Sequence, residues 1–329
     1  MDLINLPKVE LHIHLDCSLS YDVVRKLDSK ITYKKFLKDF IGSNCNSLKD
    51  YINCADRAVK IMQNKYQLEL VIEDLFDQLK KDNVIYVEIR FAPLLHTSKE
   101  LSSYEVVEII SKKVQKESVK NDIYAGLILC TLRHYTKEES LETIQLVKKF
   151  SKTNVVGFDI AADEAGFPLD NHTDAFNFAR KNNIPATAHA GEAKGPESVA
   201  ETIDKLNPKR IGHGVRIIEN IEVLNDIKKQ NIHLEICPSS NIATRVYKNF
   251  KSHPIDKLYK SGLSISINSD GRTISNTNLN KEYLLLSKNF NWKKKHFLKC
   301  NLNAIDASFA SKKIKKELIL RLKNESVNS

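Results

Sequence analysis

Eight short apolar runs separated by longer helical patterns constrain the fold of this 329-residue chain more than any other feature. The runs are rich in Val, Ile, Tyr and Thr, as buried strands are, and the segments between them repeat apolar residues at helical spacing. Apolar strands that alternate with helices indicate parallel βα units, with helices covering both faces of the sheet. Eight units predict an α/β fold of the (β/α)8 type, a TIM barrel. The predicted strands are Val9–Leu15, Val84–Phe91, Tyr124–Leu132, Val155–Ala161, Pro185–Ala190, Arg210–Val215, Ile232–Cys237 and Leu263–Asn268.

Two segments are longer than plain βα units require. Residues from about 20 to 82 carry several helical patterns, including Leu48–Lys65 and Leu68–Lys81, and we expect this helical insertion after strand 1 to overhang the barrel mouth. Helical patterns from Lys281 to Lys323 exceed one closing helix and predict extra C-terminal helices. Because no linker or repeat divides the sequence, we predict a single barrel domain over residues 1–329.

Composition and charge exclude several classes of protein. Apolar residues make up 42% and charged residues 28%, which is typical of globular domains and not of disordered chains. No apolar run reaches the length of a membrane helix, and the N-terminus lacks the basic and apolar regions of an export signal. Six cysteines without CxxC spacing indicate reduced thiols, so we expect a cytoplasmic protein.

The net charge of +10 keeps one different class of function open, a basic nucleic-acid-binding protein. The basic residues are dispersed, however, and cluster densely only at residues 293–295 and 312–316. Lysines on solvated helix faces explain such clusters better. We therefore expect no nucleic-acid partner.

The chemically reactive residues stand at the C-terminal ends of four predicted strands. They are His12 and His14 of strand 1, His189 and Glu192 at the end of strand 5, His213 at the end of strand 6, and Asp270 at the end of strand 8. A single histidine or an HxH pair is more often structural than metal-binding. Because barrel strands converge at this end, however, we expect all of these side chains to share one site.

Three imidazoles and one carboxylate are typical ligands of a catalytic zinc ion that keeps one position for water. We predict that His12, His14, His189 and Asp270 bind one Zn²⁺ per chain. Strand 4 ends without the lysine that often bridges two metals in barrel hydrolases, which favours a single ion. His213 then remains free to act as a base or to stabilise charge.

Several blocks of sequence resemble the adenosine deaminase family. They are residues 6–16, 86–93, 157–159, 189–192, 210–214 and 237–241, including the motifs HAGE and RIGHG. The blocks run in order along nearly the whole chain. The resemblance implies a zinc-dependent barrel enzyme of purine salvage that hydrolyses the 6-amino group of adenosine and 2′-deoxyadenosine, releasing ammonia and, from adenosine, inosine.

The resemblance also implies roles for individual residues. Glu192 matches the family's proton donor to purine N1, and His213 matches the residue that orients or deprotonates the attacking water. Asp16 matches the residue that holds the ribose 5′-hydroxyl. A carboxylic acid kept protonated in a dry pocket can supply the proton that N1 needs when attack at C6 breaks aromaticity.

Three positions depart from the family pattern and bear on the substrate. Gly271 stands where a second Asp commonly bonds purine N7, so that contact comes from elsewhere or is absent. Ala162 replaces a glycine whose backbone N–H faces the purine, and its methyl group narrows the approach. Cys17 replaces a glycine after the ribose-binding Asp and is either a packing residue or a reactive thiol.

These departures bear on the identity of the substrate more than on the predicted deamination chemistry. The alternative is a related deaminase of a modified or 5′-substituted nucleoside, such as methylthioadenosine, or of a nucleotide. A phosphate at the 5′ position would be repelled by Asp16. We expect a small-molecule purine nucleoside as the partner, no nucleic acid and no membrane, and the sequence predicts no oligomeric state.

Overall fold

The computed structural model describes residues 3–42 and 45–327. Within that part of the chain, eight strands follow one another in the predicted order. They are β1 (Lys8–His14), β2 (Val84–Phe91), β3 (Tyr124–Leu132), β4 (Val155–Ala161), β5 (Thr187–Ala190), β6 (Arg210–His213), β7 (His233–Ile236) and β8 (Ile265–Ile267).

All strand pairs are parallel, and the strands close into a barrel. Strands β1 to β4 form one run of neighbours and β5 to β8 form a second. A bridge between Phe158 and Ala186 joins β4 to the start of β5, and a bridge between Ile13 and Asp270 joins β1 to the end of β8. The predicted (β/α)8 fold is therefore confirmed.

Helices connect the strands and cover the outside of the barrel. They are α1 (Tyr21–Leu27), α2 (Tyr33–Asp39), α3 (Leu48–Lys60), α4 (Lys65–Lys81), α5 (Ser103–Asn121), α6 (Lys137–Lys149), α7 (Thr173–Lys181), α8 (Pro196–Leu206), α9 (Ile221–Lys229), α10 (Pro238–Ala243), α11 (Ile255–Lys260), α12 (Leu279–Phe290), α13 (Lys294–Ala307) and α14 (Lys312–Val327). Among the helices described, none is long and apolar enough to cross a membrane.

The insertion and the C-terminal extension are both present. Helices α1 to α4 follow β1, and α12 to α14 follow β8. The single helix predicted over Leu48–Lys65 is wrong at its end, because α3 stops at Lys60 and α4 begins at Lys65. The side chain of Asn64 accepts a hydrogen bond from the Gln67 backbone N–H and caps α4, which starts a new helix there.

Several strands are shorter than their apolar runs. β5 begins at Thr187 and not at Pro185, since proline has no N–H to donate and offers only its carbonyl, which accepts from the Phe158 N–H. β6 ends at His213, whose φ of +63° turns the chain away from the extended conformation. Every residue of β2 is buried, as expected for a parallel strand covered on both faces.

Candidate metal centre and active site

The four predicted ligands meet at the C-terminal mouth of the barrel. The Nε2 atoms of His14 and His189 lie 3.2 Å apart. Asp270 Oδ1 lies 3.4 Å from His12 Nε2 and 3.4 Å from His14 Nε2. The structure therefore brings together, around one point, three imidazole nitrogens and one carboxylate oxygen.

The seam of the barrel places these side chains. His12 and His14 are two residues apart on β1, so their side chains project to the same side. The Asp270 N–H donates to the His12 carbonyl and the His14 N–H donates to the Asp270 carbonyl, each over 3.0 Å. Asp270 has a φ of +60°, a conformation that costs energy in most residues and is common at functional sites.

Carboxylates behind the histidines fix which ring nitrogen faces the centre. His12 Nδ1 lies 2.9 Å from Glu235 Oε2, and His189 Nδ1 lies 3.2 Å from Asp159. An ionised carboxylate only accepts hydrogen bonds, so each Nδ1 carries the proton and each Nε2 keeps its lone pair. This carboxylate–histidine pairing is the arrangement that orients histidines toward a metal ion.

A buried arginine holds the two carboxylates in place. Arg90 donates from Nη1 to Asp159 Oδ2 at 2.8 Å and from Nη2 to Glu235 Oε2 at 2.6 Å. Burial by itself raises the pKa of Glu235, but Arg90 and Arg210 outweigh it and hold that pKa well below its ordinary range. Burial is likewise outweighed at Asp159, where His189 and Arg90 lower the pKa. Both carboxylates therefore stay ionised.

The donor set fits a metal ion. His12 Nε2 is buried and makes no hydrogen bond within the described chain, which leaves its lone pair to a cation. The ligand atoms of His12, His14 and His189 lie within 4.8 Å of one another. A second grouping joins His12 and Asp270 to His213 and Cys237. Burial raises the pKa of the Cys237 thiol well above the ordinary value, however, and metals bind the thiolate.

Glu192 lies beside this centre, and its two carboxyl oxygens have different neighbours. Its Oε1 accepts hydrogen bonds from Asn241 Nδ2 at 3.3 Å and Thr244 Oγ1 at 3.1 Å. Its Oε2 lies 3.4 Å from His213 Nε2. Burial, reinforced by the negative charge of Asp270, raises the pKa of Glu192 well above its ordinary value. Burial therefore favours the protonated form of this carboxyl group.

A chain of hydrogen bonds fixes the tautomer of His213. The Ile255 N–H donates to His253 Nδ1 at 3.2 Å, so the proton of His253 lies on Nε2. His253 Nε2 then donates to Asn241 Oδ1 at 3.2 Å, which turns the Asn241 amide nitrogen toward His213 Nδ1, 3.2 Å away. Because His213 Nδ1 accepts this bond, the proton of the neutral ring lies on Nε2, next to Glu192.

A second carboxylate supports the loop that carries Glu192. Glu164 accepts hydrogen bonds from four consecutive backbone N–H groups, at residues 191–194, over distances of 2.6–3.1 Å. The hydroxyl of Ser198 on α8 donates to the same carboxylate at 2.6 Å. Five donors around one buried carboxylate fix the conformation of this loop.

His14, His189 and Asp270 line a cavity, and residues of the inserted helix α3 line it as well. The residues of α3 that line it are Leu48, Tyr51, Ile52, Ala55, Asp56 and Val59. No lysine or arginine lines the cavity within the described chain. A larger cavity of about 530 Å³ opens where strands begin, beside Tyr124 and Phe309, but none of its described lining residues is a histidine, cysteine or carboxylate.

Two of the three predicted substrate-binding residues line the cavity, and the third does not. Asp16 lines the cavity, and its Oδ2 lies 3.9 Å from His96 Nε2. Burial raises the pKa of Asp16 to about 6. Ala162 also lines the cavity and has a φ of +77°, a conformation that suits glycine better. Gly271 is buried but does not reach the cavity surface.

The sequence predicts no role for the residues that support the site. Arg90, Asp159 and Glu235 are charged positions inside apolar strands, and that contrast is a signal for a buried polar network. Asn241 and Thr244 follow β7 in a segment that carries no such contrast. Their contacts depend on the path of the chain through α10.

Comparison with known proteins agrees with the geometry. Residues 7–325 match the family model described as adenosine deaminase. An adenosine deaminase of Clostridium acetobutylicum is 37% identical over 330 residues, covering 97% of this chain and 98% of the relative. An adenosine deaminase of Clostridium perfringens is also 37% identical, covering 98% of this chain and 99% of the relative.

Solved structures resemble the whole chain. An adenine deaminase of Arthrobacter aurescens has a TM-score of 0.91 at 21% identity, with 98% of this chain and 100% of the other covered. An Arabidopsis N6-mAMP deaminase has a TM-score of 0.88 at 25% identity, with 98% of this chain and 99% of the other covered. At 21% identity, the likeness to the adenine deaminase supports the fold alone.

Proposed function

The chain belongs to the adenosine deaminase family, and we propose that it hydrolyses the 6-amino group of adenosine, and of 2′-deoxyadenosine, as an enzyme of purine salvage. Adenosine and water give inosine and ammonia. The observation that carries the proposal is the meeting of a metal-binding donor set with the buried carboxyl of Glu192, whose pKa burial raises, in one cavity. Neither group alone would support deamination.

We propose that the metal is zinc, one ion per chain, held by His12, His14, His189 and Asp270. Three nitrogen ligands and one carboxylate oxygen suit zinc, and the carboxylates that bind Nδ1 of His12 and of His189 leave the Nε2 of each ring free to bind it. When bound, such an ion is a Lewis acid that makes water nucleophilic at neutral pH. A divalent charge also compensates for the buried carboxylates around it.

Glu192 is the proposed proton donor to purine N1. Attack at C6 places negative charge on the ring, and a neutral carboxylic acid next to N1 removes that charge by giving up its proton. Asn241 and Thr244 donate to Oε1, which favours the acid proton on Oε2. The raised pKa is the feature that keeps this proton available at neutral pH.

His213 is the proposed residue that orients the attacking water. Its Nε2–H is a donor in the tautomer that Asn241 favours, so the ring can hold the water oxygen over C6. Of the two roles left open by the sequence, the donor arrangement supports orientation over deprotonation. A base at this position would need the lone pair on Nε2.

The cavity supports a nucleoside over a nucleotide. Asp16 is buried on the cavity wall and can accept a hydrogen bond from a ribose 5′-hydroxyl. A 5′-phosphate would meet Asp16 and no cationic side chain among the described lining residues. Ala162 keeps the backbone N–H that we propose faces the purine.

The remaining proposals concern the protein as a whole. Residues 1–329 are proposed to act as one domain, because a large apolar core packs the barrel against the helical insertion. The substrate is proposed to be the small-molecule partner, and the lysines at 293–295 and 312–316 lie outside the cavity. The cytoplasm is the proposed compartment, since all six cysteines are unpaired.

A panel of substrates tests the proposed function. Ammonia release is measured with adenosine, 2′-deoxyadenosine, methylthioadenosine, adenine and AMP, and the products are identified by mass. The expected result is high kcat/KM for the two unmodified nucleosides, with AMP and adenine as poor substrates. Faster turnover of AMP or adenine than of adenosine would overturn the proposal.

A further inference from the structure

The position next to Asp270 has no room for a side chain. A Cβ added to Gly271 would lie 2.7 Å from Tyr51 Oη and 2.8 Å from Cys17 Cβ, closer than real Cβ atoms come to other atoms. Gly271 does not have the positive φ that would require glycine for conformational reasons. The glycine is therefore needed because the phenol of Tyr51, on α3, and the side chain of Cys17 fill the space.

The Tyr51 hydroxyl is held firmly at this place. Its oxygen lies 2.7 Å from Ser275 Oγ and 3.3 Å from the Gly271 carbonyl oxygen. The residue is 5% exposed and lines the cavity. Burial raises the pKa of the phenol well above its ordinary value, so the hydroxyl keeps its proton and remains a donor.

The Ser275 hydroxyl can donate to Tyr51 Oη, which leaves the phenol proton for another acceptor. Without substrate, the Gly271 carbonyl is that acceptor, across a long 3.3 Å contact. A purine whose N1 faces Glu192 presents N7 on the other flank of C6. N7 is an acceptor, and a stronger bond to it can replace the weak one.

We propose that Tyr51 is a specificity-determining residue whose hydroxyl donates a hydrogen bond to purine N7, in place of a side chain at position 271. The inference rests on the proposed function, because it assumes a purine bound with C6 at the metal centre. It assigns the N7 contact, which the sequence left open, to the inserted helix α3. The donor is a neutral hydroxyl, so the bond is of ordinary strength.

The experiment compares two products that differ only at N7. Binding of inosine and of 7-deazainosine, which has a carbon at that position, is measured by calorimetry on the parent and on Tyr51→Phe. We expect Tyr51→Phe to weaken inosine binding about three- to tenfold, the range for a neutral hydrogen bond, and 7-deazainosine binding less than about twofold. Equal changes for the two ligands, or no change for either, would overturn the proposal.

Tyr283→Phe is the matched control. Tyr283 is also buried, its hydroxyl donates to Asn301 Oδ1 at 3.0 Å, and it does not line the cavity. The control should leave both affinities unchanged, and an N7-dependent loss in it would also contradict the assignment. Failure of the proposed function would appear separately, as absence of ammonia release from adenosine by a parent protein that still binds inosine.

Discussion

Replacement of Glu192 by glutamine tests the acid in the proposed mechanism. Glutamine has nearly the same shape, and its amide oxygen can still accept from Asn241 and Thr244, as Oε1 does now. The amide nitrogen then takes the place of Oε2. It can donate a hydrogen bond to N1 but cannot transfer a proton, so the substitution separates binding from protonation.

The size of the effect follows from the role. General acid catalysis contributes about 10²–10⁴-fold, which corresponds to roughly 3–5 kcal/mol of the barrier. We therefore expect kcat to fall at least ~10²-fold. The KM for adenosine should change little, because the hydrogen bond to N1 is retained in the ground state.

The assay is the loss of adenosine absorbance, with metal content and circular dichroism measured on the same sample. Glu197→Gln is the matched control, since this carboxylate lies on α8 and bonds the Gly195 N–H outside the cavity. It should retain the parent rate. A Glu192→Gln protein that is folded, holds its metal and works within about threefold of the parent would refute the assignment.

Three further substitutions test separate parts of the structure. Asp16→Ala should lower kcat/KM for adenosine about ten- to hundredfold, the range for a hydrogen bond to a charged group. The same substitution should hardly change kcat/KM for 5′-deoxyadenosine, which lacks the 5′-hydroxyl. Equal losses for the two substrates in steady-state assays would contradict the sugar contact. Ala162→Gly should raise stability in urea unfolding by about 1 kcal/mol, because its φ of +77° strains alanine; a loss of stability would contradict this. Burial raises the pKa of Glu282 from its ordinary 4.5 to about 7. The stability that this carboxyl contributes to the folded state is therefore fully present below pH 4.5 and is lost as the pH rises through 7. Relative to the parent, Glu282→Gln should therefore gain about 2–3 kcal/mol between pH 5 and pH 8.5, and a difference that stays flat across that range would exclude the carboxyl as the cause.

The barrel was predictable because its signal is repeated and local. Each strand is an apolar run that its own residues define, and eight of them leave few alternatives to a closed parallel barrel. The ends of elements were less predictable. The break before Lys65 depends on one cap by Asn64, and the end of β6 depends on the backbone turn at His213.

The grouping of the four proposed metal ligands was predictable, because strand ends converge in this fold. The supporting residues were harder to predict because their roles depend on distances between segments far apart in sequence. Glu235 supports His12 from a position 223 residues away, and Tyr51 meets Gly271 across 220 residues. No local pattern encodes either contact.

The most direct test of the account is activity as a function of metal content. Protein freed of metal with a chelator is titrated with zinc. At each step, ammonia release from adenosine is measured and the bound zinc is determined by metal analysis. A single catalytic zinc predicts no activity without metal, a linear rise, and a maximum at one zinc per chain, with His12→Ala binding no zinc and remaining inactive. Full activity in metal-free protein, or a maximum only at two ions per chain, would contradict it.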